Sequence, residues 1–110
     1  MTASRLPRPP SHLSATARAW WSGVVRDYEL DESSLKLLTE AATSWDRIQQ
    51  ARVLLETEGL VYRDRFGTPR RHPAVGIEVE SRIAFARLLR ELDLEGTPLP
   101  DPRPPRRGRR

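Results

Sequence analysis

Residues 31–59 read DESSLKLLTEAATSWDRIQQARVLLETEG, and this stretch decides the fold. Asp31 is the kind of residue that accepts hydrogen bonds from the free N–H groups at a helix start, and Glu32 places negative charge at the positive end of the helix dipole. Gly59 is a natural stop just past the helix end. Residues 32–58 contain neither Pro nor Gly. Leu38, Ala41, Trp45, Ile48, Arg52 and Leu55 fall at alternating steps of three and four, the spacing of a coiled-coil seam with one basic interruption. The stretch predicts a single helix, ~40 Å long at 1.5 Å per residue.

Upstream of this stretch, Ser14 is a natural N-cap for an earlier helix over about Ala15–Tyr28. Ala17, Trp20, Trp21, Val24, Val25 and Tyr28 form its apolar stripe. Adjacent tryptophans cannot share one direction, so the stripe is wide. On the other side, residues 60–72 read LVYRDRFGTPRRH. Val61, Tyr62 and Phe66 favour extended backbone and Gly67 with Pro69 turns it, which predicts a short hairpin or ordered loop. Pro73 suits the first position of a third helix running to about Asp93 and stopping near Gly96. Ile77, Ala84, Phe85, Leu88, Leu89 and Leu92 are its expected apolar face. The fold class is therefore mainly α: three helices, the central one long, with a short β-hairpin or loop before the last.

Residues 1–12, with Pro7, Pro9 and Pro10, read as a flexible arm, and 13–96 as the folded domain. Residues 97–110 hold five prolines and few apolar side chains, too few to offset the entropy of ordering, so this tail is expected to be disordered. The chain has 110 residues, 37% hydrophobic and without cysteine, which bounds it to one small core and excludes disulfides and thiolate metal sites. No apolar run approaches the ~20 residues of a membrane span, and no secretory signal is recognisable at the start; a cytosolic location is expected. The net charge of +4 is unevenly placed: the tail carries +4, Arg5 and Arg8 add +2, and 13–96 is left at −2.

Folded as a globule, residues 13–96 would be roughly 30 Å across, so the long helix would overhang its own domain with its stripe still running at Leu54 and Leu55. Covering by further copies is expected, giving a ring-like homo-oligomer with Leu38, Trp45, Ile48, Arg52 and Leu55 at the seam. The alternative is that the third helix folds back along the second as a helical hairpin.

Catalytic constellations are missing. Lys36 lies within a helix with no glycine-rich phosphate loop, and His12 and His72 have no carboxylates clustered with them for a metal. His72, next to Pro73, reads as a helix cap, and Glu78 and Glu80 as solvated surface. The serines lack a histidine partner pattern. No cofactor is implied. Two segments suit nucleic acid. One is the tail, where Arg103, Arg106, Arg107, Arg109 and Arg110 offer sequence-independent phosphate contacts; the competing reading is a solubilising tail. The other is the hairpin, with Arg63, Arg65, Arg70 and Arg71 against Asp64; Arg63 and Arg65 would share one strand face with Asp64 opposite. The competing reading pairs these arginines with Glu56, Glu58 or a neighbouring subunit. Trp20, Trp21 and Trp45 read as core. Arg52 either meets an acid across an interface or snorkels at the stripe edge.

The order of these features resembles a known family. Leu13-Ser14 precedes a Trp-bearing helix; a long helix is entered through Asp31; Gly59-Leu60, Asp64-Arg65-Phe66-Gly67 and His72-Pro73-Ala74 follow; and Leu88-Leu89-Arg90-Glu91-Leu92-Asp93-Leu94-Glu95-Gly96 closes the domain. This resembles the terminase small subunits of tailed phages that package DNA with cohesive ends. The resemblance implies a homo-oligomer on double-stranded phage DNA in the host cytoplasm. It also implies delivery to a large terminase subunit with ATPase and nuclease activity, and an HNH endonuclease as a further partner. The chain departs from many family members in lacking a helix-turn-helix with the usual glycine turn at Glu29-Leu30-Asp31, which leaves ring face, channel or tails as routes to DNA. The rival readings are a small helical transcriptional regulator or antitoxin, which requires a clean basic helix face that Arg82, Arg87 and Arg90 among Glu78, Glu80 and Glu91 do not form, and a scaffold that binds only protein.

Overall fold

The structure, a computed structural model, describes residues 6–94. Three helices, α1 (Ala15–Asp27), α2 (Glu32–Glu58) and α3 (Pro73–Leu92), are joined by a tight corner and by a two-stranded antiparallel hairpin, β1 (Val61–Arg63) and β2 (Pro69–Arg71). No helix among the described residues is long and apolar enough to cross a membrane.

Each helix starts on a side-chain cap. The Ser14 hydroxyl accepts from the Ala17 amide (3.1 Å), and the Asp31 carboxylate accepts from that of Ser34 (2.8 Å). Gly59 ends α2 at φ 86°, in backbone that disfavours a Cβ. The third helix ends without glycine: Asp93 takes the left-handed conformation at φ 54°, ψ 51°, three residues before Gly96. Aspartate tolerates that region better than most residues.

The central helix is covered by its own chain. α3 runs antiparallel to α2, as fixed by Glu58 meeting His72 and Arg52 meeting Glu78. α1 crosses the first half of α2, and Trp20 stands 6.2 Å from the Phe85 ring of α3. Leu38, Trp45 and Ile48 lie in the resulting core with Trp21, Val24, Phe85 and Leu92. This corrects the expected oligomer seam at those three positions: their side chains are used up inside the fold and present almost nothing to a second copy. Arg52 likewise meets an acid of its own chain, Glu78, at 3.1 Å. Glu78, expected to be solvated, is mostly buried there and also receives Arg82 at 3.5 Å. Leu55 is half-buried. Ile77, expected on the covered face of α3, is 46% exposed.

A polar ladder fixes α1 on α2. Thr39, Thr43 and Asp46 share one face of α2, and each meets a partner from the α1 side. The Trp21 indole donates to the Thr39 hydroxyl (3.1 Å), and His12 Nε2 meets the Thr43 hydroxyl (2.9 Å). The carboxylate of Asp46, only 7% exposed, accepts from both the backbone N–H (2.8 Å) and the hydroxyl (2.6 Å) of Ser14. Asp46 thus places negative charge at the start of α1, where the helix dipole favours it. The contacts of His12 and the lining of Leu6 and Pro7 against the α1–α2 corner lay this part of the expected flexible arm on the body.

α1 begins at the level of Asp46, so among the described residues the second half of α2 has α3 alone beside it. The two form a helical stalk, with the β-hairpin at its far end. Along the stalk the face that α1 covered continues to Val53, which is 60% exposed, and Leu54 is exposed beside it. On α3, Val79 and Ile83 are exposed on the side away from Ala74, Phe85 and Leu92.

Candidate nucleic-acid interface

The stalk ends in a tip that Asp64 organises. Its backbone N–H donates to the Thr68 carbonyl (3.0 Å), and its carbonyl accepts from Gly67 N–H (2.9 Å), closing the turn. Gly67 takes φ 79°, which explains glycine at that place. One carboxylate oxygen of Asp64 accepts the amides of Phe66 and Thr68, both at 2.9 Å; the other accepts Arg70 Nε at 2.9 Å. The Arg70 guanidinium, followed by the Thr68 amide, holds the Asp64 carboxyl below the usual carboxylate range.

The pairing Val61↔Arg71, Tyr62↔Arg70 and Arg63↔Pro69 sorts the arginines. Neighbours two apart on a strand share a face, so Arg63 and Arg71 lie together and Arg70 lies opposite with Tyr62. The expectation that Arg63 and Arg65 share a strand face is corrected: β1 stops at Arg63, and Arg65 belongs to the turn. There its guanidinium lies 5.0 Å from the centre of the Phe66 ring. Arg63 donates to the Gly67 carbonyl (2.7 Å) and Arg70 is held by Asp64. All four arginines are exposed, and with Asp64 the tip carries +3. Glu58, weighed as a partner for them, is instead engaged by His72.

His72 joins tip to stalk. Its Nδ1 accepts the Ala74 amide (3.0 Å), capping α3, so Nε2 carries the proton that meets Glu58 (2.7 Å). Its backbone N–H extends the strand ladder to the Leu60 carbonyl (2.7 Å). The Tyr62 ring meets its imidazole edge-on at 6.4 Å. Strand, cap and helix end therefore share one residue, and the hairpin's orientation is tied to the helices.

The residue that sequence reasoning left out is Phe66. It is 77% exposed at the tip, with Arg65 stacked on it. An aromatic residue directly before the turn glycine cannot reach a core through a hairpin with three-residue strands, a length that the structure supplies. A flat apolar ring among arginines suits contact with sugars or bases next to phosphate contacts. Arg103, Arg106, Arg107, Arg109 and Arg110 lie outside the described residues. Among the described residues no group of three or more His, Asp or Glu side chains could hold a metal ion. No family model, no curated protein and no solved structure matches the chain.

Proposed function

We propose that this chain is a non-catalytic DNA-packaging protein, a phage terminase small subunit. In this reading it binds double-stranded viral DNA as a homo-oligomer in the host cytoplasm and presents it to a large subunit carrying ATPase and nuclease activity. An HNH endonuclease is a further partner.

One observation carries the reading: the stalk has apolar side chains on faces its own helices leave open, and it ends in a tip of four exposed arginines. Exposed apolar side chains mark an interaction surface where they form one contiguous patch. Copies standing side by side would cover Val53 and Leu54 of one stalk with Val79 and Ile83 of the next, a head-to-tail contact that closes into a ring when the rotation allows. Such packing would bring many basic tips to one rim, where each phosphate contact adds to a shared electrostatic affinity. The oligomer surface is thereby moved from the expected seam to the outer faces of the stalk.

The test is binding of a fluorescent duplex as a function of salt. Each phosphate neutralised contributes ~0.9 to the log–log slope. Replacing Arg63, Arg65 and Arg71 with alanine is expected to lower the slope by up to ~2.7, and removing 102–110 by up to ~4–5. A chain that binds no duplex at low salt, or whose slope survives both changes, ends the DNA reading.

A further inference from the structure

A surface groove of about 630 Å³ lies at the corner between α1 and α2. Leu6, Pro7, Val25 and Leu35 contribute apolar lining, and Asp27, Glu29 and Asp31 line it with acid against Arg26 alone. The three acids are exposed, and Arg26 is turned to Asp27 at 3.4 Å. An apolar trough with acidic edges fits an extended peptide rich in proline and arginine: such a peptide lies in a preformed polyproline conformation and loses little freedom on docking.

We propose that this groove holds residues 97–110 of the chain itself. The first argument is position. From Glu58 back to Leu35, α2 descends ~35 Å, and from His72 to Leu94 the antiparallel α3 descends ~33 Å at the same 1.5 Å per residue. Leu94 therefore returns to the level of the groove, and it packs against the same core cluster as Leu30 and Leu35. The second is reach: nine further residues bring the chain to Arg103, up to ~30 Å from Leu94. The third is charge, since residues 97–110 carry +4 and the groove lining carries −2. A segment tethered this close acts at an effective concentration in the millimolar range, so weak individual pairs suffice. Polyanions and the groove then compete for the same arginines. The inference stands whether or not the polyanion is phage DNA.

The absence of native cysteine makes the test direct. Cysteines at Glu29 and Gly108 of the full chain are joined by a short bis-maleimide, and the products are separated under denaturing conditions. The expected result is an intrachain crosslink severalfold above that of a matched Arg65→Cys, Gly108→Cys chain. Its yield falls with added Asp27→Lys and drops to the control level in about 1 M salt, where the screening length is ~3 Å. Asp31 is left unchanged because it caps α2. Equal yields at Glu29 and Arg65 would overturn the proposal. So would a crosslinked dimer in place of the intrachain product, which assigns the groove to a second copy. An Ala3→Cys, Glu29→Cys crosslink with none from Gly108 would assign it to the N-terminal segment and overturn it equally.

Discussion

Replacing Asp46 with alanine removes the acceptor of two hydrogen bonds from Ser14, at 2.8 and 2.6 Å, from a site only 7% exposed. Hydrogen bonds to charged groups contribute ~1.5–3 kcal/mol each. Part of that is recovered, because the variant no longer buries a carboxylate and water reaches the exposed Ser14. The net loss should be about 2 kcal/mol, or roughly 8–15 °C in Tm for a domain of this size. Asp46→Asn keeps one acceptor oxygen and should lose about half as much. Ser14→Ala loses the α1 cap, about 1 kcal/mol, and the hydroxyl leg of the contact, but keeps its backbone N–H. The double variant should therefore lose less than the sum of the singles, by about 1 kcal/mol. Urea unfolding followed by fluorescence of the buried Trp20, Trp21 and Trp45 measures this, at one fixed protein concentration because association shifts apparent stability. An Asp46→Ala chain within about 0.5 kcal/mol of the parent, or strictly additive losses, would refute the view that this carboxylate anchors α1.

Acid should loosen the hairpin tip. The folded-state Asp64 carboxyl titrates below the ordinary aspartate value, so its contribution is present above that value and is lost as pH falls through the lower folded one. Protection of the Phe66 and Thr68 amides, taken relative to their intrinsic exchange rates at each pH, should fall over that window and be lower at neutral pH in Asp64→Asn; protection unchanged from pH 5 to 2 would contradict this. His72→Ala should destabilise the start of α3 by about 1 kcal/mol, and His72→Asn should restore the cap but not the Glu58 contact; equal Tm values for parent and His72→Ala would exclude the capping role. Ile83→Glu, on the outer side of α3, should lower the oligomer mass while leaving the helical circular dichroism unchanged. A native mass for that variant would remove the stalk face from the interface.

The helices were legible because their boundaries are set locally. Asp31 and Gly59 frame α2 in the sequence as they do in the structure, and Ser14, His72 and Pro73 act where their chemistry places them. The hairpin was legible through Gly67, but its strand ends were not, since Asp64 closes the turn with its backbone and one carboxylate oxygen and so takes Arg65 out of the strand. What covers the α2 stripe was a question of tertiary partners. Periodicity marks Leu38, Trp45 and Ile48 as buried without saying by what; α1 and α3 of the same chain pack there. The α1–α2 polar ladder escaped because Thr39, Thr43 and Asp46 look like a solvated face until Trp21, His12 and Ser14 are set against them. Of the candidate site, the four hairpin arginines came from composition alone, whereas the exposure of Phe66 depended on the length of the strands.

Copies of this chain are proposed to cover one another along the stalk. Native mass spectrometry of the full chain in dilute physiological buffer tests it with the fewest intermediate steps. A closed set of several 12.6 kDa copies is expected, reduced by Ile83→Glu. A single species at 12.6 kDa across the accessible concentration range would contradict it.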